Sequence, residues 1–597
     1  MDLSRALEAA VSAAEAAGHL LRDDFHREGG PRGAVDKADA DTEAERLIRS
    51  QLTGAFPDWN FLGEETGRHH GTPGAPCWLV DPNDGTRDYL VGRRGSAVSI
   101  GLLVDRRPVL GVVFAFAYPD DDGDFFAWAE GCGPLRRNGR EVAAALPDAL
   151  GALDVVLVSS GGDRDPETNL RCAAPARFRA VPSIAHRLAL VAAGEAAAAT
   201  ALFAPSAWDY GAGQALLRAS GAVLLDEDGA EVAYDATGMS RTTRAFGARD
   251  AVARALASRS WDALQAGGPA GAGPARLERG QAVADSRRLS RAQGCFFGQV
   301  AGDSLGSQVE FETAAAIASA HPGGVRALVD GGRWQTLAGQ PTDDSEMALA
   351  LARSILAEGG YEPGAAYAAY REWYRSQPFD VGNTTRAALN GYLMGESQAN
   401  GSLMRAAPLG VLAHAAAPAQ AAEWARADSA LTHPHLVCGD AAAAYVVAVG
   451  DAVAHGDARH AWTAALSWAR GARAQASVLA ALEAAEQEPR AADGENQGWV
   501  LIALQNAFHD LLHAESVEAG VVASVARGGD TDTNAAIAGA LLGAVHGREG
   551  LPASWRSLVL SCRAHPLRAR HARPRAYWAT DLYELAERVL LAGDAAR

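Results

Sequence analysis

"VDPNDGTRDY", Val80 to Tyr89, follows the apolar run "CWLV" and sets two aspartates, Asp81 and Asp84, around a proline with no backbone N–H to donate. A strand that ends this way delivers its acidic side chains to a site at its tip. Like charges in so stiff a segment repel unless a cation lies between them, which points to divalent metal and phosphate chemistry. Gly85 and Thr86 come next; their turn offers backbone N–H groups to phosphate oxygens, and the Thr86 hydroxyl can orient water. Taken alone, "PNDG" is equally a surface turn with Asn, Asp and Gly in their usual places.

Other acids fall at comparable positions. "FLGEETG" offers Glu64 and Glu65 after another short apolar run, and "SAWDYGAG" puts Asp209 at the start of a predicted helix, where the dipole favours negative charge. If Glu64, Asp81, Asp84 and Asp209 converge, each close pair costs about 4 kcal/mol at ~4 Å and an effective dielectric near 20. Divalent cations turn that cost into binding. Oxygen-only ligands suit magnesium or manganese, and a pair of such ions can activate water on one side of a phosphoester while stabilising the leaving oxygen on the other.

The whole chain sets bounds on this reading. Its 597 residues exceed one ordinary core, and with 48% apolar residues there is enough to fill two large domains. A formal net charge of -18 repels polyanions, which argues against nucleic acid and anionic membranes as partners. Six cysteines lie scattered without C-x-x-C spacing, as expected of reduced thiols. "MDLSRALEAAVSAAEAAGHLL" has an amphipathic helical period and acidic residues rather than a basic head and an apolar run. The expectation is a cytoplasmic protein without a membrane span. Lys37, the only lysine, sits among acids in "VDKADADTE".

Composition shifts at "LQAGGPAGAGPARLERGQ", Leu264 to Gln281, where Gly, Pro and Ala cluster without apolar periodicity. The expected organisation is a domain over 1–262, a linker over 263–284 and a second domain over 285–597. In the first, β-type runs ("CWLVD", "AVSIGLLVD", "VLGVVFAFAY") mix with helical ones ("DTEAERLIRSQLTGAF", "DYGAGQALLRASG"). In the second, long Ala-rich helices dominate: "SEMALALARSILAEGG", "GDAAAAYVVAVGDAVAHG" and "TNAAIAGALLGAVHG". The fold class is therefore multidomain, α/β followed by all-α.

"GEET", "DPNDGT" and "WDYGAG", in this order, together with the glycine-bearing "GCGPLRRNGREV", resemble the inositol monophosphatase family over roughly the first 260 residues. The resemblance implies a layered α/β/α/β/α sugar-phosphatase fold and magnesium-dependent, lithium-sensitive phosphomonoester hydrolysis. It implies metal ligands at Glu64, Asp81, Asp84, Asp209 and the Asn83 carbonyl, Glu64 and Thr86 as catalytic residues, and Gly85 and Thr86 on the substrate phosphate. Two departures stand out. "VDKADADTEAE" is shorter than the family's loop, so Asp39 and Asp41 compete for an outer-metal role. The acid that meets inositol hydroxyls in the family falls on Leu202, which favours nucleotide or sugar phosphates over inositol phosphate.

In the second half, "GCFFGQVAGDSLGSQVEF" carries Gly298, Gly302 and Gly306 at every fourth position, a smooth stripe that lets a neighbouring helix approach closely. Asp303 and Glu310 stand two turns apart and are expected to share a helix face. "TDDSEMALALARSIL" and "RGGDTDTNAAIAGALLG" each open a helix with acids, which alone reads as capping. Together these motifs resemble the ADP-ribosylglycohydrolase family from about Leu289 onward. The resemblance implies an orthogonal all-α bundle holding two magnesium or manganese ions through Thr342, Asp343, Asp344, Asp530, Asp532 and Thr533, with Glu310 positioning the attacking water. "GESQANGSLMRAAPLG" resembles the family's ADP-ribose loop, placing Ser397, Asn400 and Gly401 near the diphosphate, and His433 in "LTHPH" matches a ligand contact.

The expectation is a bifunctional metal-dependent hydrolase with two or more Mg2+ or Mn2+ ions per domain. One half would cleave a sugar or nucleotide phosphomonoester, the other an ADP-ribosyl glycosidic bond to a protein side chain or small acceptor. The alternative is a chain with one catalytic half, the other an ADP-ribose-binding or regulatory module.

Overall fold

The computed structural model describes residues 2–262, 275 and 279–595. Most of the expected 263–284 linker therefore lies outside the described residues. The chain forms two compact units, Met1–Ala284 and Asp285–Arg597.

The first unit is built on two sheets. The larger has eight strands in the order Arg140–Glu141, Arg136–Arg137, Asp124–Ala129, Arg107–Ala115, Ala97–Val104, Cys77–Asp84, Asn60–Gly63, Gly67–His69. Its one parallel pair, Asn60–Gly63 with Cys77–Asp84, brings the ends of "FLGEE" and "CWLVDPND" to the same edge. The smaller sheet orders Arg177–Ala180, Val155–Val158, Ala198–Ala201, Ala245–Ala248 and Val223–Asp226, parallel across the first three strands. Helices Leu3–Phe25 and Asp39–Ala55 contribute alanines and leucines to a core with the large sheet.

Helix Ala207–Ala219 lies between the two sheets, buried from Tyr210 to Leu217. Glycines make this possible. A methyl at Gly101 would meet the Ala212 backbone N at 2.9 Å, and one at Gly111 would overlap the Ala212 carbonyl, while Gly213 and Gly247 receive Leu188 on the other side. Helices Pro166–Ala173 and Asp250–Ala257 close the outer face of the small sheet with Trp261. The layering is α/β/α/β/α.

The second unit is nearly all helical. Its centre is the pair Ser286–Gly306 and Thr531–His546, which meet backbone to backbone: methyls at Gly294, Gly298, Gly302 and Gly306 would overlap the carbonyls of Gly543, Gly539, Ala535 and Thr531. The every-fourth stripe thus begins at Gly294, one turn earlier than the sequence reading placed it. Leu436–His455 has the length and apolarity of a membrane span, with mean hydropathy 1.6, but 83% of that window is buried inside this unit. Tyr445 on it donates to the Ile537 carbonyl at 2.9 Å.

One expectation fails here. The first of the paired helices ends at Gly306, packed closely on Thr531 and Asp532, and Glu310 lies in the turn beyond it rather than on a face shared with Asp303.

Candidate active sites

In the first unit the strand tip is shaped by its own hydrogen bonds. Asn83 N–H donates to Asp81 Oδ1 at 2.8 Å, so the Pro82 turn folds back on its own acid. Gly85, at φ 103°, adopts a left-handed conformation that a side chain disfavours, and starts the short helix Thr86–Leu90. Asp84 Oδ2 accepts from Ser183 Oγ at 2.6 Å and from Ala185 N–H at 2.7 Å, which docks the start of helix Ile184–Ala192 on the strand end. Asp209 Oδ2 takes the Ser206 N–H at 2.9 Å, a capping bond that aims the carboxylate back across the helix N-terminus.

These four carboxylates feel one another. Burial, with Asp84 adding to it, pushes Glu64 up to about 7. Asp81 is raised well above the usual range by burial and by Glu64, Asp84 and Asp209, and Asp209 by burial, Asp84 and Glu64. Asp84 is raised by burial against the pull of its hydrogen bonds and of buried Arg187. Groups that disfavour each other's charge this strongly, gathered from separate segments, form an all-oxygen donor set suited to a hard dication.

Two further residues complete the site. Asp41 takes hydrogen bonds from Asn83 Nδ2 at 2.9 Å and from the Thr86 hydroxyl at 3.0 Å, and burial lifts it to about 7. Of the pair Asp39 and Asp41, only Asp41 is bonded to Thr86. Glu45, fully buried, accepts the N–H groups of Glu65 and Thr66 at 2.8 and 2.6 Å and so fixes the turn that presents Glu64; Gly63 is needed because a methyl there would overlap this carboxylate. Leu202 packs beside the outer core of the small sheet, and its neighbour Phe203 is 52% exposed.

In the second unit a cavity of about 350 Å3 is lined by Glu310, Asp343, Asp344, Asp380, Asp530, Asp532 and Thr533, with Asn400, Gly401 and His433 across from them. Asp303, Asp344 and Asp532 bring oxygens within 4.8 Å of one another, and so do Glu310, Asp380 and Asp532. Asp532 belongs to both triads. Asp344 Oδ1 is buried without a hydrogen-bond partner among the described residues. The N-cap residues of helices Asp343–Glu358 and Thr531–His546, Thr342 and Asp530, make no side-chain capping bond there. Burial above all, then like charge, raises Asp343, Asp344 and Asp532 well above the usual range and Glu310 to about 8.

Supporting bonds set the geometry. Thr342 Oγ1 lies 2.9 Å from Asp303 Oδ1 and 3.0 Å from Asp344 Oδ2, and Asn400 Nδ2 donates to Asp530 Oδ2 at 2.7 Å. The Trp334 indole N–H donates to Glu310, and Trp334 and His571 flank the Phe379 ring next to Asp380. Ser397 stands back from the cavity, its hydroxyl 2.7 Å from that of Thr384, which does line it. Sequence reading passed over Asp380, which follows no motif, and counted Asp303 only as a neighbour of Glu310.

His433 is held from behind by a buried chain of polar side chains. Arg405, wholly buried against Asp428 and the Tyr370 ring, donates to Thr432 Oγ1 at 2.9 Å, and that hydroxyl lies 2.8 Å from His433 Nδ1. Its Nε2 lies beside Gly401 at the cavity. Burial and then Arg405 push the imidazole down to about 3, so it stays neutral.

Two separate carboxylate sites, each within its own unit, define a two-part hydrolase. Residues 284–596 match the ADP-ribosylglycohydrolase family and residues 2–263 the inositol monophosphatase family. The chain belongs to the ADP-ribosylglycohydrolase family, with an inositol monophosphatase-family unit fused ahead of it. It is 33% identical over 283 residues to the ADP-ribosyl-[dinitrogen reductase] glycohydrolase of Rhodospirillum rubrum, covering 45% of this chain and 89% of the relative. It is 31% identical over 244 residues to inositol monophosphatase 1 of Solanum lycopersicum, covering 38% and 87%. A solved ADP-ribosylglycohydrolase-related protein complex shares 26% identity with a TM-score of 0.42, covering 51% of this chain and 98% of that one.

Proposed function

We propose that the chain is a bifunctional metal-dependent hydrolase. The first unit cleaves a phosphomonoester of a sugar or nucleotide; the second cleaves the glycosidic bond between ADP-ribose and a protein side chain. The carrying observation is that each unit gathers carboxylates that raise one another's proton affinity in a buried, all-oxygen setting, an arrangement that costs stability unless Mg2+ or Mn2+ occupies it. Bound there, such ions supply Lewis acidity and lower the proton affinity of water.

In the first unit, Glu64, Asp81, Asp84, Asp209 and the Asn83 carbonyl would hold the ions. Thr86 donates to Asp41 and turns its lone pairs toward an attacking water. A proton from that water passes to the Thr86 oxygen as Thr86 gives its own to Asp41, whose raised proton affinity suits it to receive one near neutrality. Leu202 and exposed Phe203 support a substrate other than inositol phosphate, since neither accepts hydrogen bonds from a polyol.

In the second unit, Asp303, Thr342, Asp343, Asp344, Asp380, Asp530, Asp532 and Thr533 supply the ligand oxygens. Glu310, steadied by Trp334, removes a proton from the water that attacks the anomeric carbon, and the Nε2–H of His433 holds a substrate oxygen across the cavity. The names of two relatives, the dinitrogen reductase glycohydrolase and an ADP-ribosylarginine hydrolase of Pseudomonas putida, support an ADP-ribosylated arginine as the substrate class.

The test is a paired assay on the full chain, with p-nitrophenyl phosphate or a nucleotide monophosphate for one site and an ADP-ribosyl-arginine peptide for the other, each with Mg2+, with Mn2+ and with EDTA. Turnover of both, lost in EDTA, is expected. ADP-ribose binding without release from the peptide would instead make the second unit a reader.

A further inference from the structure

A third cluster lies outside both carboxylate sites, where helix Leu436–His455 ends and helix Ala458–Gly471 begins. Asp451 and His455 stand four positions apart on the last turns of the first helix, and His460 sits in the first turn of the second. His460 Nδ1 is 2.6 Å from Asp451 Oδ1, His455 Nδ1 is 3.2 Å from Asp451 Oδ2, and the two imidazole centroids are 4.6 Å apart. One ligand atom from each residue can be chosen so that all three lie within 4.8 Å of one another.

The backbone beneath is fixed by its own bonds. Gly456 ends the first helix at φ 72°, Asp457 Oδ1 caps the second by accepting the His460 N–H at 2.7 Å, and Arg291 donates to the carbonyls of Val453 and Ala454 at 2.6 and 2.9 Å. Little main-chain motion is therefore needed for the three side chains to close on one ion. Both histidines are more than half exposed, so an ion reaches them from solvent.

We propose that Asp451, His455 and His460 form a surface site for a borderline dication of the Zn2+ class, completed by water. Ligand chemistry separates it from the other two sites. Those offer oxygen alone and suit hard ions; this one offers two imidazole nitrogens and a carboxylate, which Mg2+ binds poorly and Zn2+ binds well. Without metal, the two imidazoles share a single carboxylate, and burial-free His460 is drawn upward by its hydrogen bond to Asp451. With metal, the ion would clamp the end of helix Leu436–His455 to its successor.

The probe is Zn2+ or Co2+ alone, titrated into the full chain with Mg2+ in large excess to occupy the oxygen sites. Wild type is expected to bind one further equivalent, to show the visible absorption of imidazole-ligated Co2+, and to gain roughly 2 °C or more in Tm with Zn2+. The double variant His455→Ala/His460→Ala should keep the far-UV spectrum and both hydrolytic activities while losing that equivalent, the absorption and the Tm gain. Unchanged Zn2+ stoichiometry in the double variant, or no Zn2+ uptake by wild type against Mg2+, overturns the proposal. Either result would leave the two carboxylate sites untouched.

Discussion

The Thr86 hydroxyl lies 3.0 Å from Asp41 Oδ2, although 45 positions separate the two residues. If this pair relays the proton of the attacking water, Asp41→Asn should lower kcat of the phosphatase by about 100-fold or more, the range of a lost general base. The same change removes a buried charge that burial has lifted to about 7, so Tm without metal should hold or rise. Steady-state kinetics beside a melting curve reads both, and a fall in Tm with unchanged kcat would give Asp41 a structural role.

Asp84 and Asp532 serve different units. Asp84→Asn should abolish phosphomonoester turnover and spare glycohydrolase turnover; Asp532→Asn should do the reverse. Measuring both reactions on each purified variant checks this. Loss of both activities from one folded variant would contradict two independent sites.

Trp334 donates its indole N–H to Glu310. Phenylalanine keeps the ring against Phe379 and deletes the donor. Trp334→Phe should lower kcat of the glycohydrolase about 10-fold, equal to about 1.4 kcal/mol, with KM little changed, because the bond orients a reacting group rather than the substrate.

Buried carboxylates also dictate how stability varies with pH. Asp41 and Glu64 stand near 7, Asp303 near 6 and Glu310 near 8, all above their unfolded values near 4, chiefly through burial. The folded metal-free protein therefore holds more protons than the unfolded chain between about pH 4 and 8, and its stability falls as pH rises through that window. In EDTA, Tm should drop by roughly 5–10 °C from pH 5.5 to 8. Excess Mg2+ should flatten the slope, since the ions replace those protons.

A methyl at Gly298 would overlap the Gly539 carbonyl, and neither backbone can yield without separating the central helices of its unit. Gly298→Ala should destabilise the second unit by at least about 3 kcal/mol. A calorimetric scan should show one transition moving down while phosphatase activity persists.

Much of this was readable from the residues. A short apolar run ending in D-P-N-D-G-T carries its own instructions: the apolar residues form the strand, the pairing register shifts around the proline, and glycine turns the chain into Thr86. The glycine stripe announced a close helix contact because spacing of four is local information. Asp380 was not readable, since "QPFDVGN" has neither period nor cap, and only the fold brings it to Glu310. Asp303 was noticed but assigned to a shared face with Glu310; the helix stops at Gly306, and the two acids meet through Asp532 instead. Ser397, placed at the diphosphate by resemblance, stands behind Thr384. Loops carry such positions, and their paths depend on contacts far along the chain.

Where Ser286–Gly306 meets Thr531–His546, peptide rests on peptide with no side chain as a cushion. Asp303 and Asp532 ride on these two helices like the jaws of a caliper. Hard contact sets the gap, and close-packed backbone does not stretch. At the proposed site a larger cation such as Ca2+, which needs more oxygens at longer range, would meet jaws that resist opening, and discrimination by size would then reside in the main chain rather than in the acids themselves.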